Sequence, residues 1–116
     1  MLTLPEIKEG NGPILMLNMV RFKDRRLYFE EYLPAFYQVV EKLGLSGAKV
    51  IMTNDVIANL VVTDGEAWDA IVLVEYPSVA AFATMAQSKE YHEIAEPLRL
   101  AALSDIRLFM TRSIAY

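Results

Sequence analysis

The sequence predicts an α+β domain whose elements follow the order β-α-β-β-α-β. Two helical segments are indicated by apolar residues at three- and four-residue spacing. Four strands are indicated by runs that carry apolar residues on both faces. At 116 residues the chain is long enough for one domain and not for two.

The first half of the chain supplies two strands and one helical segment. We predict an N-terminal arm over 1–13, followed by the domain over 14–116 and a first strand over 14–22. Asp24 is expected to cap a helix over 25–43, which Pro34 should kink and Gly44 should end. A second strand is predicted over 47–53, and residues 57–62 either continue it or form a separate short strand.

The second half repeats this arrangement. Asp64-Gly65 is typical of a hairpin turn into a third strand over 68–76, and Pro77 should stop that strand because it cannot donate to the sheet. Ser78 is expected to cap a helix that ends near residue 87. A further helical stretch over 89–103, interrupted near Pro97, leads to a fourth strand over 106–114.

This order of elements gives a ferredoxin-like plait: an antiparallel sheet of strand order 4-1-3-2 with both helical segments on one face. The other face of the sheet is then bare in a single chain, although every strand has apolar residues on both sides. The hydrophobic fraction of 54% is high for so small a domain. We therefore predict a homodimer that packs through the sheet faces, forming a dimeric α/β barrel.

The alternation of the strands predicts a polar mouth on the cavity between the two sheets. On the third strand Ile71, Leu73 and Glu75 are expected to face that interior. The face of the first strand that holds Asn18, and the face of the fourth that holds Arg107, are assigned to it as well. With the first and third strands taken as parallel, Glu75, Asn18 and Arg107 should meet at one end of the sheet, as polar groups do in a small-molecule pocket.

Composition excludes several classes of function. The net charge of −4 and the pI of about 4.9 argue against a nucleic-acid partner. No apolar run approaches the ~20 residues that cross a bilayer, and no secretory signal opens the chain. The chain has no cysteine, a single histidine and no clustered carboxylates, so no metal site and no cofactor are predicted. A cytoplasmic location is the expectation that remains.

Six residues are candidates for chemistry. His92, the single histidine, could act as a general acid or base, or lie exposed on its helix. Glu75 could move a proton and Arg107 could bind an anion, or the two could form an ion pair at the rim of the barrel. The Asn18 amide must be satisfied by protein groups or by a ligand oxygen. Arg99 could bind a ligand or form an ion pair with Asp105. Tyr76 could contact a ligand or serve only in packing.

Several segments resemble one family. The stretch from Leu17 to Lys23 is similar to its LN-x-x-(K/R)-F-K opening, and Trp68-Asp69 through Tyr76-Pro77-Ser78 is similar to its WD…YPS strand and corner. The family is the DUF1330 group of the dimeric α/β-barrel superfamily. The chain departs from it at Val79, where a basic residue is frequent, and at Leu98, where a histidine is frequent.

The resemblance implies the plait and the dimer but no single activity. The superfamily includes small-molecule isomerases, cofactor-free monooxygenases, haem-handling enzymes and ligand-binding modules. We predict a homodimeric small-molecule protein. As an enzyme it would be a cofactor-independent isomerase or cyclase that moves a proton on an anionic or carbonyl-bearing ligand. The alternatives are a non-catalytic ligand-binding or sensing module of the same fold and a structural partner domain.

Overall fold

The computed structural model describes residues 4–7 and 12–116, so the predicted arm over 1–13 lies partly outside the described residues. The strands are β1 (Ile14–Phe22), β2 (Lys49–Asp55), β3 (Ala70–Tyr76) and β4 (Leu103–Thr111). The helices are α1 (Arg25–Leu27), α2 (Leu33–Lys42), α3 (Val79–Ala86) and α4 (Glu96–Ala102), with π-helical turns at Tyr28–Tyr32 and Tyr91–Ala95. The α+β prediction is confirmed.

The four strands form one sheet in the order β2-β3-β1-β4, which is the predicted order counted from the other edge. The strand β1 is antiparallel to both of its neighbours. The prediction that the first and third strands are parallel is therefore wrong. Each helical segment connects two parallel strands that have one other strand between them. The two parallel pairs alternate in the sheet, so adjacent strands run in opposite directions.

The two faces of the sheet differ in what covers them. In β3, Ala70, Val72 and Val74 are buried under the helices, as predicted. The buried residues of β1 pair with residues of β3 on that same face: Ile14 with Tyr76, Met16 with Val74 and Val20 with Ala70. The expectation that the Met16–Asn18–Val20 face of β1 is turned away from the helices is wrong. Both faces of β1 are apolar, so alternation alone could not orient it.

The predicted helix caps are confirmed. The Asp24 carboxylate accepts a hydrogen bond from the Leu27 backbone N–H at 3.0 Å, and the Ser78 hydroxyl oxygen accepts one from the Ala81 N–H at 3.0 Å. Gly44 follows α2 with φ of 68°, the left-handed conformation that ends helices at glycine.

Each of the two prolines that interrupt a helical segment follows a π-helical turn. The N–H of Leu33, just before Pro34, donates to the Tyr28 carbonyl, and the N–H of Glu96, just before Pro97, donates to the Tyr91 carbonyl. A proline ring clashes with the carbonyl four residues earlier, and the wider turn relieves that clash. Tyr28 and Tyr91 therefore begin equivalent π turns in the two helical segments.

The connection from β2 to β3 contains no further strand, so the suggestion of a strand over 57–62 is not supported. Ile57 and Val61 in this connection are 97% and 96% exposed. The domain is a slab of 38 × 37 × 23 Å, with helices on one side of the sheet and the second side open. Among the described residues no helix is long and apolar enough to cross a bilayer.

Candidate functional site

A cavity of about 290 Å³ lies between the helix-covered face of the sheet and the helices. Its floor is formed by β1, β3 and the first half of β4, and its walls by both helical segments. The polar or ionisable side chains that line it are Asn18, Tyr28, Tyr32, Tyr76, Tyr91, Glu96 and Arg99. Three of the six predicted site residues thus lie around one cavity: Asn18, Tyr76 and Arg99.

Four buried tyrosines set the chemistry of this cavity. The hydroxyl oxygens of Tyr32 and Tyr91 are 2.7 Å apart and share a buried hydrogen bond. Burial raises the pKa of all four phenols (Tyr28, Tyr32, Tyr76 and Tyr91) above the usual value near 10. The tyrosines therefore stay protonated at neutral pH and act as hydrogen-bond donors. Sequence reasoning assigned Tyr28 and Tyr32 to the core alone, because their spacing is that of a buried helix face.

The second helical segment adds a row of charged side chains. The Nδ1 of His92 lies 2.7 Å from one carboxylate oxygen of Glu96, and the Arg99 guanidinium lies 3.7 Å from the other. The His92 side chain is 58% exposed and that of Glu96 only 13%, so the row runs from solvent into the cavity. The Arg99 Nε atom is buried and has no hydrogen-bond partner among the described residues.

Glu96 is the charged residue of the site that was not predicted from the sequence. A signal was present: His92, Glu96 and Arg99 follow one another at spacings of four and three, which places them on one side of a helix. The residue was overlooked because Pro97 was taken as a break in the segment. The π-helical turn instead carries the helix through to α4.

Asn18 lies on the floor of the cavity, in the middle of β1. Its amide nitrogen donates to the backbone carbonyls of Met16 at 3.1 Å and Val72 at 3.3 Å. Protein groups therefore satisfy both N–H bonds, which was one of the two alternatives for this residue. What Asn18 can offer a ligand is its carbonyl oxygen, an acceptor.

The end of the cavity away from Arg99 is aromatic. The Tyr76 ring packs edge-on against Phe36, with centroids 6.3 Å apart, and against Phe82, with centroids 5.1 Å apart. Met85 joins these rings in the lining. Edge-to-face packing of this kind holds the ring planes in fixed orientations.

The predicted mouth of Glu75, Asn18 and Arg107 does not exist. Glu75 pairs with Leu15 near the start of β1, Arg107 pairs with Met19 further along, and Asn18 points to the opposite face. The error follows from the antiparallel pairing of β1 and β3, which carries the end of β3 away from the start of β4. Neither Glu75 nor Arg107 lines the cavity.

Both of those side chains have structural partners. The Glu75 carboxylate lies 3.7 Å from the Lys49 ammonium. The Arg107 guanidinium lies over the Trp68 ring, 5.1 Å from its centroid, and contacts Asp105 at 2.9 Å. Both residues form ion pairs, but the predicted pair between Glu75 and Arg107 is wrong.

Comparison with known proteins identifies the family. The model of the domain of unknown function DUF1330 matches residues 13–111. The chain belongs to the DUF1330 family. A crystal structure of a protein of unknown function from Rhodopseudomonas palustris is 32% identical, with a TM-score of 0.76 over 94% of this chain and 88% of that one. None of the curated proteins matches the chain.

More distant structures share the fold. A hydroxynitrile lyase from Passiflora edulis is 14% identical, with a TM-score of 0.63 over 92% of this DUF1330 chain and 99% of that one. A dimeric protein of unknown function with a ferredoxin-like fold from Bacteroides fragilis is 15% identical, with a TM-score of 0.50 over 88% and 97% of the two chains. The ferredoxin-like fold predicted from the order of elements is confirmed.

Proposed function

We propose that this DUF1330 protein binds a small oxygen-bearing molecule in the cavity between helices and sheet. The observation that carries the proposal is the buried Nε of Arg99, which has no acceptor among the described residues and lies in a cavity lined by protonated phenols. A buried donor without an acceptor is costly, and native structures usually avoid it. A ligand oxygen at this position removes the cost.

We propose further that the protein is a cofactor-independent proton-transfer enzyme of the isomerase or cyclase type. Glu96 accepts a proton from the carbon next to a ligand carbonyl, and a phenol hydroxyl donates a hydrogen bond to the enolate oxygen that forms. His92 then exchanges the proton of Glu96 with solvent, since it contacts that carboxylate and is itself exposed. The hydroxynitrile lyase among the structural neighbours supports an enzyme on this fold.

This proposal assigns the roles predicted for Glu75 and Arg107 to two residues that line the cavity. Glu96 takes the role that was assigned to Glu75, because Glu96 lines the cavity and Glu75 does not. Arg99 takes the role of Arg107 for the same reason. His92 keeps its role as a proton carrier, but it carries the proton between Glu96 and solvent. Tyr76 and Asn18 remain ligand-contacting residues.

Proton exchange on phenylpyruvate tests the enzymatic proposal. This probe has a carbonyl, a carboxylate and an adjacent methylene group whose protons are replaced by deuterium in D₂O when it enolises. The wild-type protein is expected to accelerate that exchange, followed by proton NMR. Glu96→Gln is expected to slow the catalysed exchange by roughly a hundredfold or more, the usual contribution of a general base.

The matched control is Glu93→Gln, which removes the same charge one turn earlier. Glu93 is exposed and pairs with Lys89 at 3.9 Å, so the exchange rate should not change. If Glu96→Gln exchanges as fast as wild type, Glu96 is not the base. If the probe binds and its exchange is no faster than in buffer, the alternative is correct and the protein is a non-catalytic ligand-binding or sensing module.

We also propose that the protein is a homodimer that packs through the open sheet face. Among the described residues, the segment around Trp68 covers one end of that face at Arg21 and Arg107. Elsewhere on the face, Phe109 and Met52 are 47% and 39% exposed. A second copy is the occupant we propose because the slab presents one broad apolar face, and an isologous contact buries the same face on both copies. The dimeric ferredoxin-like neighbour supports this arrangement.

A further inference from the structure

The polar end of the cavity is rich in donors. The Arg99 guanidinium carries five N–H donors in a planar fork that fits the two oxygens of a carboxylate. Its separation of 3.7 Å from Glu96 is too long for a good hydrogen bond, and its Nε has no acceptor among the described residues. The Arg99 guanidinium interacts with the Tyr91 hydroxyl, which shares a hydrogen bond with Tyr32 at 2.7 Å, so these groups lie together at one end.

The other end accepts an apolar ring. Tyr76 lies there between Phe36 and Phe82. Tyr76 pairs with Ile14 at the start of β1, whereas the helix that carries Arg99 is hydrogen-bonded through Ala102 to the chain just after the end of β1. The flexible side chain of Met85 completes this end. The ends of the cavity therefore differ, and a ligand with one charged and one apolar end has a single favourable orientation.

The size of the cavity suits a ligand with one ring. A cavity of ~150 Å³ holds benzene. The volume here is about 290 Å³, which leaves room for one ring and a short chain that ends in a carboxylate.

The charges of the cavity limit the ligand to one carboxylate. Arg99 is the only cationic side chain among the described residues that line it, and Glu96 is the only anionic one. One oxygen of Glu96 contacts His92 at 2.7 Å, and the other lies 3.7 Å from Arg99, too far for a good hydrogen bond to the guanidinium. A second ligand carboxylate would face Glu96 without a cation of its own.

We infer that the ligand is a monocarboxylic acid with one ring, its carboxylate on Arg99 and its ring against Tyr76. The inference rests on the proposed function, since it concerns the same cavity. It adds the class of ligand, which distinguishes this acid from a neutral carbonyl compound, from a ring-free acid such as butyrate and from a diacid such as phenylsuccinate.

Calorimetric titration with four probes tests the inference. The wild-type protein is expected to bind 3-phenylpropionate at least tenfold more tightly than 3-phenylpropanamide, butyrate or phenylsuccinate, which lack the charge, lack the ring or add a second charge. Arg99→Gln should bring the acid down to the affinity of the amide and leave the amide unchanged. Arg26→Gln is the matched control, because Arg26 is exposed on α1 and pairs with Glu30 outside the cavity.

The failures can be told apart. Equal affinity for the acid and the amide overturns the inference and leaves the proposed binding site in place. If the wild-type protein binds none of the four probes, the proposed function and the inference are both contradicted. If circular dichroism shows that Arg99→Gln is unfolded, Arg99→Lys is measured instead, because lysine keeps the charge and lacks the planar fork. An undiminished preference for the acid in that variant would contradict bidentate binding.

Discussion

Leu17→Asp is expected to convert the protein from a dimer to a monomer. Leu17 is at the centre of the open sheet face, where it pairs with Leu73 in β3 and Phe109 in β4. In a homodimer the substitution places two unpaired carboxylates in an apolar interface. A buried unpaired charge costs about 3–5 kcal/mol, which raises the dissociation constant by roughly a hundredfold to a few thousandfold.

Light scattering after gel filtration at low micromolar concentration measures the effect. Wild type should have twice the chain mass of 13.1 kDa, and Leu17→Asp should have the mass of one chain. Leu100→Asp is the control, since Leu100 is 60% exposed on the outer side of α4 and should leave the dimer intact. A wild-type monomer at these concentrations, or a dimeric Leu17→Asp variant with unchanged circular dichroism, would contradict packing through the sheet.

A steep loss of stability above pH 10 is the second large effect. Burial raises the pKa of Tyr28, Tyr32, Tyr76 and Tyr91 in the folded chain. Below pH 10 these phenols are protonated in both states, so their full contribution to stability is present. Above pH 10 the phenols of the unfolded chain release protons while the buried ones keep theirs, and the free energy of unfolding falls as the pH rises.

The magnitude follows from the number of groups. Each buried tyrosine lowers the free energy of unfolding by about 1.4 kcal/mol per pH unit, so four lower it by about 5 kcal/mol per pH unit. A small domain has about 5–15 kcal/mol in total, so unfolding should occur within roughly one to three pH units above 10.

Urea unfolding followed by circular dichroism at several alkaline pH values measures the slope. Phenolate absorbance should rise together with unfolding and not before it for these four groups. Tyr76→Phe should reduce the slope by the share of one tyrosine, about 1.4 kcal/mol per pH unit. A free energy of unfolding that stays level between about pH 9 and 11 would show that the phenols are not buried in the folded protein.

Local chemistry allowed most of the fold to be predicted from the sequence. Asp24 and Ser78 cap helices because their short polar side chains reach free backbone N–H groups, and the sequence shows this directly. The alternation in β3 was also oriented correctly, since small and β-branched residues alternate with larger ones there. Strand order followed from the order of elements, which is that of the ferredoxin-like plait.

The site was predicted less well, because it depends on strand direction and on which face of each strand the helices cover. Asn18 lies in a strand that is apolar on both sides, so nothing in β1 tells which side the helices cover. One incorrect assumption about the direction of β3 then moved Glu75 beside Arg107, although pairing places them four residues apart along β1. Arg99 and Tyr76 were found because their candidacy did not depend on that assumption.

The methionine methyl groups report most directly on where a ligand binds. Met16 and Met85 line the cavity, whereas Met19 and Met52 belong to the open sheet face. With methyl-labelled methionine, titration of 3-phenylpropionate is expected to shift the NMR signals of Met16 and Met85 and to leave those of Met19 and Met52 in place. Shifts confined to Met19 and Met52 would contradict the account, because they would place the ligand between the sheets and not beneath the helices.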